Sequence, residues 1–169
     1  MRLKPLSLAL ATLVVALIPL TTTAVTQDRK ILQVATGLCG SNNPVNDQYL
    51  RRLPSGIRNS GTVNISVVCS QWADENTVGP ASQVFAYFRN DKAVAYNVTC
   101  TLSEGIPFYG QVTSTKTVSV PAAGSDFISW STADYGSADK SKWTNLQCSL
   151  PQAFTIREIG MTYPENVGT

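Results

Sequence analysis

The chain has 169 residues, with 13 Lys+Arg against 11 Asp+Glu, four cysteines and no histidine. The missing histidine excludes Ser-His-Asp and Cys-His catalysis and the zinc hydrolases that depend on imidazole ligands. A charge this close to balance argues against an electrostatic binder of nucleic acid or membrane.

Arg2 and Lys4 precede an apolar run, Leu6 to Leu20, interrupted only by Ser7 and Thr12. The run is about fifteen residues, short of the roughly 20 that span a bilayer, and Thr22-Thr23-Ala24 offers small residues for cleavage. Residues 1–24 are therefore expected to be a secretory signal peptide, and the protein to be secreted or periplasmic. Loss of Arg2 and Lys4 leaves 11 cationic against 11 anionic residues, so the basic excess belongs to the leader. No later segment is long or apolar enough to cross a membrane. Residues 25–60 read as an N-terminal strand and loop-rich segment, and 61–165 as the body of the same single domain. Its length of about 145 residues suffices for a hydrophobic core.

Within that domain, 25–30 read as a mobile polar lead-in and 31–35 as a first short strand. Thr36 to Gly61, rich in Gly, Ser, Asn and Pro, reads mostly as loop, with a helical turn near Asp47 to Arg52. Val63, Ile65, Val67 and Cys69 alternate with Asn64, Ser66 and Val68, the period of a strand with one face on a core. Residues 84–90 (VFAYFRN) are apolar on both faces, as in a central strand. Asn90-Asp91-Lys92 is a turn candidate, and AVAYNVTCTL follows, so the two runs read as a β-hairpin. GQVTSTKTVSV and DFISWS (126–131) are further strands. Thr132 to Lys142 is a polar loop with a helical turn at Ala138 to Lys142. NLQCSL places Leu146, Cys148 and Leu150 on one face. In AFTIREIGMTYP, Phe154 and Ile156 are in one phase and Ile159, Met161 and Tyr163 in the other, which predicts a β-bulge near Arg157. About seven or eight short strands with Gly/Pro turns predict an all-β antiparallel sandwich, immunoglobulin-like or jelly-roll in connectivity.

The cysteines Cys39, Cys69, Cys100 and Cys148 are 30 or more residues apart, without the C-x-x-C spacing of a zinc site. An even count in an exported chain predicts two disulfides. NVTCTL (97–102) and NLQCSL (145–150) each place Asn three before Cys and Leu two after it. Two neighbouring strands with cysteines on the same side fit that likeness, which favours Cys100–Cys148 and Cys39–Cys69; the other two connectivities stay open.

The succession VVCS, AYFRND, VTCTL, FISWS and LQCSLP resembles a loose group of small secreted bacterial proteins. That group combines a signal peptide, one β-sandwich and a late C-x-L-P element, here Cys148-Ser149-Leu150-Pro151. The resemblance covers about residues 55 to 165 and departs at Ser70, where Pro is expected. It implies a β-sandwich and export, and no particular activity.

Chemistry-bearing residues are sparse. Asp134 to Asp139 has oxygen ligands but not the spacing of a calcium loop. It reads as a polar connection, and neither metal nor cofactor is expected. Arg51, Arg52 and Arg58 read as a solvated loop. Among Asp74, Glu75, Glu104, Asp126, Asp134 and Asp139, no spacing ties two carboxylates across a cleft. Asn64-Ile-Ser66 and Asn97-Val-Thr99 match the N-glycosylation sequon; if the host is bacterial, as the leader suggests, the match is chance. Trp72, Trp130 and Trp143 are placed in or beside loops, with Tyr109 and Tyr135 in similar company. The expected function is a non-catalytic binding or cell-envelope role, with polysaccharide or another envelope or extracellular protein as partner and no nucleic acid. One alternative is a carbohydrate-binding module using Trp72, Trp143 and Tyr135 as candidate ligand-binding residues. The other is a small hydrolase, which needs two carboxyls roughly 5 to 9.5 Å apart.

Overall fold

The structure is a computed structural model that describes residues 24–73, 79, 81–104, 111–135 and 143–167, apart from the side chains of Trp72, Tyr135 and Trp143. Its strands are β1 (Val25–Val34), β2 (Cys39–Ser41), β3 (Leu50–Leu53), β4 (Gly56–Asn59), β5 (Ile65–Trp72), β6 (Gln83–Asn90), β7 (Tyr96–Glu104), β8 (Val112–Val120), β9 (Ser125–Ser131), β10 (Trp143–Leu150) and β11 (Phe154–Val167). Two one-turn helices, α1 (Pro44–Asp47) and α2 (Thr132–Tyr135), and a 3-10 turn (Ala35–Gly37) complete the described residues. Asn43 caps α1 by accepting from the Val45 N–H, with Pro44 in the first turn, where its missing donor costs nothing.

The strands form a β-sandwich. One sheet runs β3-β4-β11-β6-β9, with β1 also paired to β11; the other runs β2-β5-β10-β7-β8. The last eight strands nest in antiparallel pairs, first with last: β4 with β11, β5 with β10, β6 with β9, β7 with β8. Arg58 opposite Thr155, Trp72 opposite Trp143, Gln83 opposite Ser131 and Tyr96 opposite Val120 all straddle the neighbourhood of Pro107 about evenly. The chain thus folds as one long hairpin wrapped over two sheets, which is jelly-roll connectivity rather than immunoglobulin-like.

Between the sheets lies one apolar cluster, with Trp130, Tyr163, Phe88, Phe154, Ile57 and Leu102 among its largest fully buried members. Burying each such side chain contributes roughly 1.5–3 kcal/mol. Disulfides join Cys39 to Cys69 and Cys100 to Cys148 inside it, each across directly opposed positions of adjacent strands. The β-bulge expected near Arg157 is present. Ile156 faces Phe88 and Glu158 faces Tyr87, so the extra residue returns Ile159, Met161 and Tyr163 to the core.

Several expectations are corrected. Residues 25–30 are not a lead-in but the first half of β1, paired along its whole length with β11. An edge strand exposed on both faces shows no hydrophobic alternation. Between Thr36 and Gly61 the chain forms three strands of three or four residues, too short for a period to appear. The helical turn there is at Pro44–Asp47, before the expected position. β6 and β7 are not a hairpin: β6 lies between β11 and β9 in one sheet, and β7 between β10 and β8 in the other. The turn expected at Ala138 to Lys142 lies outside the described residues, and a helical turn occurs at Thr132–Tyr135. Trp130 is not beside a loop but fully buried in β9, whereas Tyr109 lies outside the described residues. Among the described residues, no helix is long and apolar enough to cross a membrane.

Candidate functional site

The two outer faces of the sandwich differ sharply in chemistry. On the five-stranded sheet, alternation sends Ile65, Val67, Cys69, Leu146, Cys148, Val98 and Leu102 inward. The residues between them form rows across the sheet. Ser66, Ser149, Thr99 and Thr117 are one row; Val68, Gln147, Thr101 and Thr115 the next; Ser70, Asn145, Ser103 and Thr113 the third. Strands lie about 4.8 Å apart, so each row presents four side chains at close spacing. No residue of these rows carries a charge.

These side chains are held by one another. Thr99 and Thr117 hydroxyls meet at 2.8 Å, as do those of Thr101 and Thr115. Ser70 Oγ donates to Asn145 Oδ1 at 2.7 Å, and Gln147 Nε2 to Ser66 Oγ at 2.9 Å. Cross-strand pairs of this kind contribute roughly 0.2–1 kcal/mol each, and they orient the remaining donors and acceptors.

The next row in the same phase begins with Trp72 directly opposite Trp143, at the end of β5 and the start of β10. Two of the three candidate ligand-binding residues are therefore partners in register, at the edge of the hydroxyl face. Tyr135 ends α2, which follows β9 of the other sheet. The side chains of all three lie outside the described residues. Sequence reading found the tryptophans by residue type but not their pairing, because register between strands so distant in the chain has no local signal.

Of the six candidate carboxylates, Glu104, Asp126 and Asp134 lie among the described residues. Glu104 is fully buried in the last position of β7. Asp126 accepts from the Phe127 N–H, and Asp134 accepts from Lys116 Nζ at 2.8 Å and from Ser131 N at 2.7 Å. Lys116 first, and then the Ser131 N–H, hold the Asp134 carboxyl below its ordinary value. Asp74, Glu75 and Asp139 lie outside the described residues, and no group of three or more potential metal ligands occurs among the described ones.

Arg51, Arg52 and Arg58 belong to the β3–β4 hairpin rather than to a loop. Arg52 turns back to donate to the Thr36 and Cys39 carbonyls at 2.6 and 3.0 Å. Arg51 faces Arg58 across the hairpin, and Asp91 joins Arg58 to Arg89 at 2.9 and 3.1 Å.

No family model matches the chain, and no curated protein matches it either. Solved structures do. The xylan-binding module CBM15 superposes with a TM-score of 0.53 at 11% identity, covering 81% of this chain and 97% of the module. The fold is shared. An exo-beta-1,3-galactanase from Phanerochaete chrysosporium matches with a TM-score of 0.45 at 15% identity, over 79% of this chain and 29% of the enzyme. A non-crystalline cellulose specific carbohydrate-binding module, CBM28, matches with a TM-score of 0.39 at 12% identity, over 69% of this chain and 76% of the module. The likeness to the xylan-binding module is one of β-sandwich architecture.

Proposed function

We propose that this is an exported, non-catalytic carbohydrate-binding domain that takes neutral polysaccharide on the outer face of its five-stranded sheet. One observation carries the reading: a charge-free grid, all hydroxyls and amides except Val68, leads directly to Trp72 opposite Trp143.

A sugar presents hydroxyls, which donate and accept, and faces of C–H groups. Ser, Thr, Asn and Gln also donate and accept, so they match sugar hydroxyls in either sense. Each hydrogen bond contributes only about 0.5–1.5 kcal/mol net, so affinity has to come from several together along a chain. Indole rings supply the apolar surface that stacks on sugar C–H faces. A neutral ligand needs no counter-charge, and this face offers none. The apolar leader at 1–24 and the two disulfides support a secreted or periplasmic location, where both disulfides and polysaccharides persist.

The test is affinity electrophoresis against xylan, soluble cellulose and β-galactan, followed by titration calorimetry. The expected result is binding to at least one of them, lost on Trp72→Ala or Trp143→Ala with the melting temperature kept. A native protein retarded by no neutral polysaccharide would overturn the reading.

A further inference from the structure

The outer face of the six-stranded sheet carries the opposite chemistry. Register aligns Arg51, Arg58, Thr155 and Arg89 in one row across β3, β4, β11 and β6. The bulge in β11 adds Arg157, which lines a depression of about 290 Å³ together with Arg58, Arg89, Asp91 and Thr155. A neighbouring depression of about 390 Å³ lies between Arg51, Arg58 and Gln152. Four arginines thus meet two acids: Asp91, and Glu158, which stands opposite Tyr87. The chain after residue 24 has equal numbers of both signs, so this corner is a local segregation of charge. Asp91 accepts one N–H from Arg58 and one from Arg89, which fixes both guanidinium groups. Each guanidinium has five donors in a planar fork suited to a carboxylate.

One row away on the same face, Tyr87 faces Phe127 with ring centroids 5.4 Å apart, and Phe127 is 46% exposed. Successive same-face positions on a strand are about 7 Å apart, so Arg89 and Tyr87 lie within one sugar ring of each other. Cations alone would suit any anion. The half-buried Tyr87 and exposed Phe127 beside them select an anion that also has an apolar face.

We propose that this corner is a second glycan site, specific for a carboxylate-bearing sugar. The sugar's C–H face rests on Tyr87 and Phe127, and its carboxylate is held by Arg89 and Arg58, with Arg157 at the rim. The inference takes from the reading above only that the domain meets glycans. It uses the opposite sheet and different residues, so the two readings fail separately.

The experiment titrates the full protein, at low ionic strength, with polygalacturonate, its methyl-esterified form, polyglutamate and inorganic phosphate. Polygalacturonate is expected to bind at least ten-fold more tightly than the esterified polymer and than polyglutamate, and phosphate weakly. Arg58→Ala and Arg89→Lys are each expected to weaken polygalacturonate binding about ten-fold, while affinity for any neutral polysaccharide that the native protein binds is unchanged. Arg157→Ala, which removes none of the Asp91 pairs, is expected to weaken it several-fold, and Phe127→Ala to weaken it without altering the salt dependence. Equal affinity for polygalacturonate and polyglutamate would reduce the site to net charge and overturn the proposal. So would equal affinity for the free and esterified polymers, phosphate binding as tight as uronate binding, or full polygalacturonate affinity in Arg89→Lys and Arg157→Ala.

Discussion

Asn59 and Asn90 occupy the same place in two successive arches. Each is fully buried at the end of a strand of the six-stranded sheet, where the chain crosses to the other sheet. Asn59 donates to the carbonyls of Val63 and Leu150 and accepts from Gly61 N. Asn90 donates to those of Val94, Val120 and Pro121 and accepts from Lys92 N. Arg58-Asn59 is followed by Val63, Val67 and Cys69 at the same intervals as Arg89-Asn90 by Val94, Val98 and Cys100.

Replacing Asn59 by alanine removes the donor to the Leu150 carbonyl, and replacing Asn90 removes the donor to that of Val120, both in buried hydrogen bonds. Each unsatisfied group costs about 1–3 kcal/mol, so Asn59→Ala and Asn90→Ala are each expected to lower stability by about 2–3 kcal/mol. Asn90→Asp keeps the acceptor for Lys92 N but loses the donors, and is expected to cost nearly as much. Urea unfolding monitored by Trp fluorescence measures this. A loss below about 0.5 kcal/mol would mean that the arches are held by something else.

Gly56 packs against the bulge of β11. Its φ is +140°, and a Cβ there would meet the Ile156 carbonyl and the Arg157 Cα. Gly56→Ala is therefore expected to destabilise by about 2 kcal/mol or more, combining backbone strain with a backbone clash. Gly37→Ala, which meets nothing within 4 Å, serves as the control. Thermal unfolding of both variants decides it.

The disulfides close intervals of 30 and 48 residues. In the chain-entropy account, these correspond to about 3.6 and about 4.1 kcal/mol of constraint on the unfolded chain. The pair Cys100→Ala/Cys148→Ala is expected to cost at least as much as Cys39→Ala/Cys69→Ala, because its loop is longer. The reverse order in guanidinium unfolding would show that core packing, not loop length, governs the difference.

Lys116 crosses from β8 to the Ser129 carbonyl of β9 and to Asp134 of α2, each at 2.8 Å, and closes this side of the sandwich. Because Asp134 is held below its ordinary 3.8, the folded protein favours its charged form. That contribution is complete above the ordinary value and is lost as the pH falls below it. Asp134→Asn is accordingly expected to be less stable than the native protein at neutral pH, with the gap closing as the pH drops through 3.8 and lower. A gap that stayed constant into acid would rule out the carboxylate as its source.

What the sequence determined on its own was local. Residue alternation identified strand faces and inward cysteines, and the phase change in β11 revealed its bulge, since side-chain direction repeats every two residues wherever one face is buried. The likeness of two Asn-x-x-Cys-x-Leu segments pointed to Cys100–Cys148 because β7 and β10 are neighbours sharing a phase. Tertiary structure alone decided the partners. β6 and β7 are adjacent in the chain and compatible as a hairpin, yet they part to different sheets. β6, with Val84, Phe85, Ala86 and Phe88 all buried, requires neighbours on both sides, and Asn90 satisfies the crossing. β1 carries no alternation to read because pairing with β11, not burial, holds it. For the same reason the candidate sites were half legible. Trp72 and Trp143 were visible as residues, but their opposition was not, nor was the row from Arg51 to Arg89. Register between strands distant in sequence is set by how the whole core closes, and no window of sequence contains it.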